Sequence, residues 1–233
     1  MIKRLCRISY GYLAMVRKII CSSESSTRLL AYINAFLDSH EPILADDGLR
    51  TRMLHTFAAM IDETQIEGDY AELGVYRGKS ARIIACHGEG RSFYLFDTFE
   101  GFCPEQLQKD ELETYGNFTK TTPEYVAKFV QQEKKNVNVV VKEGLFSETK
   151  RGLENHRFAL VHLDCDLSEP MKEGLEFFYP RTSPGGVIII HDYISEKYPR
   201  VRQVVDGFFS DKPETVYRIK NARAHAAVIV KPR

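Results

Sequence analysis

Between Asp69 and Ile190, continuous apolar runs alternate with segments of helical spacing, and this constrains the fold more than any other feature of the chain. Residues 70–73, 92–96, 137–142, 158–163 and 186–190 read as strands. They lack the in/out alternation of a half-exposed sheet, which marks strands buried on both faces. Residues 79–85, 124–132, 170–178 and 199–209 carry apolar positions at helical spacing in the gaps. Strands and helices in strict alternation predict an α/β fold, with a mostly parallel sheet covered on both sides. Residues 215–219 and 226–230 then follow with a short connection, and so predict an antiparallel hairpin that completes seven strands.

Ahead of the first strand, residues 28–37 and 49–61 repeat the helical pattern. These N-terminal helices are expected to cover the mouth of the sheet or to join a homo-oligomer interface. Within the first twenty residues, Lys3, Arg4, Arg7, Arg17 and Lys18 interleave with apolar positions, and a Ser-rich stretch follows to Thr27. Arg17 and Lys18 interrupt the apolar core that a signal peptide needs. Residues 1–27 therefore read as a basic amphipathic arm and linker, packed on the body or a partner, with peripheral membrane contact as the alternative. Residues 28–233 read as one domain: 28–67 hold the N-terminal helices and 97–122 a long connection suited to a lid. Lysine plus arginine equal aspartate plus glutamate at 32 each, so no overall field favours nucleic acid. Five cysteines without a C-x-x-C pair argue against a disulfide framework or structural zinc, and fit a reducing, cytoplasmic setting.

Ligands of an open parallel sheet gather at the carboxyl ends of its strands. Here those ends carry Glu72, Gly74, Asp97, Glu143-Gly144, Asp164 and His191-Asp192. Gly74 and Gly78 allow a tight turn into a helix beginning around Ser80, the usual cradle of a nucleotide-like ligand. Asp97 lies a little over twenty residues beyond Gly74, where a carboxylate can accept hydrogen bonds from ribose hydroxyls. That spacing fits an NAD site as well as an adenosyl site. A pyrophosphate cradle also wants a middle glycine, which is missing at Tyr76, and Glu72 would repel it. An amino-bearing cationic ligand suits Glu72 better.

The second constellation is Asp164 with His191 and Asp192, at the ends of neighbouring strands. Carboxylates with a partner ligand suit a divalent cation such as Mg²⁺, which can bind an acceptor hydroxyl and lower its pKa. His191 can alternatively serve as general base. The bland reading makes Asp164 and Asp192 caps of the segments that follow them. His162, inside a strand, reads as packing, and His40 and His55 as surface or interface residues.

Five motifs occur in order: Gly68-Asp-Tyr-Ala-Glu-Leu-Gly-Val-Tyr-Arg-Gly78, Phe96-Asp-Thr-Phe-Glu-Gly101, Glu143-Gly-Leu-Phe146, Leu163-Asp-Cys-Asp-Leu167 and Pro184-Gly-Gly with His191-Asp-Tyr193. Together they resemble the macrocin O-methyltransferase (TylF/MycF-like) family of S-adenosylmethionine-dependent enzymes, over about residues 48–210. The resemblance implies a Rossmann-like class I methyltransferase fold. It further implies methylation of a hydroxyl on a sugar, glycoside or related natural product, with Mg²⁺ assistance. Glu72, Gly74, Gly78 and Ser80 would hold the methionine part of S-adenosylmethionine. Asp97 would take the ribose with Thr98 beside it, and Gly144 and Phe146 would flank the adenine. Asp164, His191 and Asp192 fall at the metal position, with Asp164 or His191 as the base. The chain departs from the family pattern at His191, where an aspartate is common, and at Ser168, where a tyrosine is common. Histidine suits softer metals better than Mg²⁺ and opens a metal-free route. An NAD-dependent oxidoreductase and a non-catalytic cofactor-binding protein are the competing readings.

Overall fold

The computed structural model describes residues 48–109, 111, 118, 121–131, 136–219 and 225–233. The arm at 1–27 and the first expected helix at 28–37 lie outside them. Helix α1 spans Gly48–Thr64, α2 Lys79–Ile84, α3 Pro123–Gln131, α4 Phe146–Thr149, α5 Ser168–Phe178 and α6 Pro199–Phe209. The strands are β1 (Asp69–Leu73), β2 (Ser92–Asp97), β3 (Asn138–Glu143), β4 (Phe158–Leu163), β5 (Thr182–Ile190), β6 (Tyr217–Ile219) and β7 (Ala226–Val230). They form one sheet in the order β3-β2-β1-β4-β5-β7-β6. All neighbours are parallel as far as β5, and β7 runs antiparallel to both β5 and β6.

Each face of the sheet carries its own apolar core. On one, Tyr70, Leu160 and Ile189 pack against Met53, Leu54 and Phe57 of α1, Ile84 of α2 and Val126 of α3. On the other, Leu73, Phe96, Val161 and Ile188 pack against Phe146 of α4, Phe178 of α5 and Val205 of α6. Phe96, Phe146 and Phe178 meet edge-on or tilted with centroids 5.1 to 6.0 Å apart, a favoured arrangement of aromatic quadrupoles. Two polar side chains interrupt the first core: Glu72 and His162, register partners across β1 and β4 and both fully buried.

Strand β5 begins four residues before the expected Gly186. Thr182-Ser-Pro-Gly reads as a turn, yet Thr182 pairs with Phe158 ahead of a register shift, so the extended backbone starts earlier. Helix α5 begins at Ser168, with Pro170 inside its first turn, where a missing N–H is harmless. Among the described residues of the 97–122 connection, Pro104–Gln106 forms a 3-10 turn. Glu111, almost wholly buried, accepts hydrogen bonds from the N–H groups of Gln108 (2.9 Å) and Ser168 (3.1 Å). Glu111 thereby ties the connection to the start of α5.

Candidate active site

The carboxyl ends of the central strands continue their ladder beyond the strands themselves. Gly74 donates to the carbonyl of Phe96 (2.9 Å), Asp164 to that of Leu73 (2.8 Å) and His191 to that of Leu163 (2.8 Å). This brings the candidate residues side by side along a cleft of about 770 Å³, within the size range of small-molecule sites. Gly74, Ser80, Asp97, Thr98, Gly144, Phe146, Asp164, His191 and Asp192 all line it. Glu72 and Gly78 stand behind its wall rather than in it.

In the glycine turn, the glycines serve the protein's own packing. A Cβ on Gly74 would lie 2.1 Å from the carbonyl oxygen of Asp164, so glycine is what lets β1 and β4 close up. Gly78, at φ +72°, forms the left-handed start of α2 and packs on Val126 and Val130. Glu72 accepts hydrogen bonds from the Ser80 hydroxyl and, at 2.8 Å, from Nδ1 of His162. His162 is therefore not simple packing: it joins a buried polar group directly behind the cleft. A histidine and a glutamate at facing positions of two otherwise apolar strands were the available signal.

Asp97 closes the turn from the neighbouring strand. Its Oδ2 accepts from the N–H groups of Val75 and Tyr76, both at 2.7 Å, and its Oδ1 from Phe99 at 2.8 Å. Three of roughly four lone-pair positions on the carboxylate are thus used within the protein. Tyr76 and Phe99 both sit at positive φ, 48° and 57°, and the carboxylate stabilises those strained backbones. Thr98 turns its hydroxyl to the carbonyl of Gly101 (2.7 Å), bracing the connection that follows.

At the other end of the cleft, Nδ1 of His191 lies between two carboxylates, 2.8 Å from Oδ1 of Asp164 and 2.9 Å from Oδ2 of Asp192. Arg50, from the first turn of α1, pairs with Oδ2 of Asp164. Its place at the site is invisible in the sequence, 114 residues away. Burial by itself would lower the pKa of His191, but the Asp164 charge and the bonds to both aspartates raise it to about 10. Burial likewise opposes ionisation of Asp164, yet Arg50 and His191 hold its carboxyl well below the usual range. A ring held protonated in this way is an acid rather than a base, so the base role expected of His191 first requires loss of that proton. Burial and the charge of Asp164 push Asp166 well above the usual carboxylate range. Asp166 and Asp192 both occupy left-handed backbone, φ 61° and 57°, so strain collects at this end of the cleft. Donor atoms of Asp164, His191 and Asp192 lie within 4.8 Å of one another, close enough for one ion. Glu72, His162 and Asp164 form a second such group.

A mostly parallel sheet with an antiparallel β7 beside β5, and a cleft across the ends of β1, β2 and β4, defines a class I methyltransferase fold. The fold is similar to that of the O-methyltransferase NovP (TM-score 0.67, 18% identity, 97% of this chain and 100% of that one). It is also similar to that of CalS11, a calicheamicin methyltransferase (TM-score 0.63, 18% identity, 92% and 96%). Residues 47–219 match the macrocin O-methyltransferase (TylF) family model, and the chain belongs to that family. A relative from Streptomyces olivaceus, 8-demethyl-8-(2,3-dimethoxy-alpha-L-rhamnosyl)-tetracenomycin-C 4'-O-methyltransferase, is 33% identical over 141 residues. The match spans 55% of this chain and 54% of that relative, so the chain spans about half its length.

Proposed function

We propose that this protein is an S-adenosylmethionine-dependent O-methyltransferase acting on a hydroxyl of a sugar, glycoside or related small molecule, with a divalent cation at Asp164, His191 and Asp192. The observation that carries the reading is one cleft with a turn-and-carboxylate end at Gly74, Ser80 and Asp97, and an acid–imidazole end at Asp164, His191 and Asp192. The family and the tetracenomycin rhamnosyl 4'-O-methyltransferase support the same chemistry.

The residues fit the donor. The cleft is large enough for it, and Asp97 keeps a lone pair beyond its three amide bonds for a ribose hydroxyl. Thr98, Gly144 and Phe146 would bound the adenine. Ser80 would face the methionine end, held in place by Glu72, and Gly78 would set the start of its helix. When bound, the donor supplies an electrophilic methyl group on a sulfonium. The protein then has to hold the acceptor oxygen in line with that methyl and remove its proton. Asp164 is the candidate base, oriented by Arg50, and it takes up that role only once His191 has given up the proton that helps hold its carboxyl well below the usual range.

The donor set also fits a cation, two carboxylates and one imidazole being a mixed oxygen and nitrogen set open to the cleft. A bound cation would lower the pKa of the acceptor hydroxyl. His191 would enter such a set as the neutral ring, so binding would release a proton.

Isothermal titration with S-adenosylmethionine tests the donor assignment. Binding is expected in the wild type and strong weakening in Asp97→Ala. Absence of binding, or unchanged binding in the variant, refutes it. The cation is tested separately by titrating Mg²⁺ and Mn²⁺ into chelator-treated protein and into Asp192→Asn.

A further inference from the structure

We propose that Glu111 is a positioning residue for the candidate base: it touches neither donor nor acceptor, and holds Asp164 in place through the strained turn that follows it. The inference rests on the methyltransferase reading above and names the residue that sets where its base stands.

Strand β4 passes into α5 within very few residues. Asp164 is fixed on the sheet side by the bond from its N–H to the carbonyl of Leu73 (2.8 Å), and α5 begins at Ser168. Between them Leu167 donates to the carbonyl of Cys165 (2.6 Å) around Asp166 at φ 61°. A bond spanning two residues around a left-handed one is the rare, strained form of the γ-turn. Such strain persists only where the surroundings hold the turn at both ends. Strand β1 holds the Asp164 end. At the other end the N-cap is Leu167, whose side chain has no oxygen to offer the first N–H groups of the helix.

Glu111 supplies that oxygen from 57 residues away, its Oε1 accepting from the Ser168 N–H at 3.1 Å. An acidic side chain at a helix N-terminus is favoured by the helix dipole as well. Glu111 is 2% and Ser168 7% exposed, so bulk water does not compete for the bond.

The carboxyl group is itself held by its own connection. Its Oε2 accepts from the Gln108 N–H (2.9 Å), and the Glu111 N–H donates to the Gln108 carbonyl (2.8 Å). Gln106 bonds back to Cys103 and Leu107 to Pro104, so the backbone leading to Glu111 runs through successive tight turns. Cys103 and Gln106 line the cleft, as do Asp164, Asp166 and Leu167, while Glu111 and Ser168 stand behind it. One buried acid thus joins a wall of the cleft to the turn that carries the base. The donor end is braced separately, by Glu72 on Ser80 and by Asp97 on Val75 and Tyr76. Loss of Glu111 should therefore loosen the Asp164 end and spare the donor end.

The test compares full-length wild type, Glu111→Ala and Glu111→Gln in chelator-treated form. Hydrogen-exchange mass spectrometry reads the turn, and the ring ¹⁵N signals of His191 at fixed pH read its 2.8 Å contact with Asp164. Calorimetric titration of S-adenosylhomocysteine reads the donor end. In Glu111→Ala the amides of residues 165–168 should exchange about tenfold faster, as loss of a buried cap would give. The His191 ring signals should shift, and affinity for S-adenosylhomocysteine should stay at the wild-type value. Glu111→Gln keeps one side-chain oxygen and should recover part of both changes. Ile219→Ala, at the far edge of the sheet, controls for general loosening and should leave the turn and the ring signals unaltered. Unchanged exchange at 165–168 in Glu111→Ala overturns the proposal. So does faster exchange with unmoved His191 signals, which would make Glu111 a helix cap and nothing more. A wild type that binds no S-adenosylhomocysteine refutes the methyltransferase reading instead, and the exchange and ring signals still decide whether Glu111 holds Asp164.

Discussion

Replacing Glu72 separates two roles that the glycine turn can support. If Glu72 touched the donor, its loss would mainly weaken cofactor binding. The structure instead buries it completely behind the cleft, with His162 at 2.8 Å and the Ser80 hydroxyl on the same oxygen. Glu72→Ala strips the acceptor from both groups where the surroundings are fully buried. Leaving a buried donor without its acceptor costs about 1–3 kcal/mol, and here two donors lose theirs. Glu72→Gln keeps one carbonyl oxygen and the volume, and should cost about 1–3 kcal/mol. Domains are stable by only about 5–15 kcal/mol, so the alanine variant should give up a large share of its margin. Urea unfolding followed by circular dichroism measures both changes through the midpoint at constant slope. Titration with S-adenosylhomocysteine, run on Glu72→Gln well below its unfolding midpoint, should give nearly the wild-type affinity. A glutamine variant with wild-type stability and no cofactor binding would refute this reasoning and put the carboxylate on the ligand.

Gly74→Ala should destabilise the fold by about 3 kcal/mol or more, because the new Cβ meets the Asp164 carbonyl at 2.1 Å and φ is +85°. Its unfolding midpoint measures this directly. Asp164→Asn should abolish methyl transfer in a radiolabelled donor assay while leaving calorimetric binding of S-adenosylhomocysteine intact, and full activity would remove Asp164 from the mechanism. For His191, the folded pKa is raised from 6.5 to about 10, so its stabilising effect is complete below pH 6.5 and is lost as pH rises through 10. In chelator-treated protein, the wild type should therefore lose more stability between pH 6.5 and 10 than His191→Gln does. Parallel losses would show that the ring is not held protonated between the aspartates.

Much of this architecture can be read from the chain because its strands are buried on both faces. Phe158–Leu163, Ala226–Val230 and the helix Pro199–Phe209 match their expected bounds residue for residue. The departure at Thr182 comes from turn-forming residues held extended by a neighbouring strand, which no local preference encodes. Residues at strand ends were equally legible: Asp97, Asp164, His191 and Asp192 all reach the cleft. What local sequence does not reveal is how those side chains are occupied. Asp97 spends three lone pairs on its own turn, and His191 is clamped between two carboxylates. Both facts depend on contacts between distant strands.

Arg50 shows how a residue remote in sequence becomes part of such a site. Met53, Leu54 and Phe57 form the apolar stripe of α1 and bury against the Tyr70 and Leu160 face of the sheet. Arg50 lies three and four residues before Met53 and Leu54, so the same helix face carries it one turn further along. That sheet face is also the one occupied by Glu72, His162 and, just past the end of β4, Asp164. Burial of the stripe thus fixes where the guanidinium falls, and it falls on Asp164. A substitution that loosens α1, such as Phe57→Ala, should therefore act on the cleft as well as on stability, through release of the Arg50 and Asp164 pair.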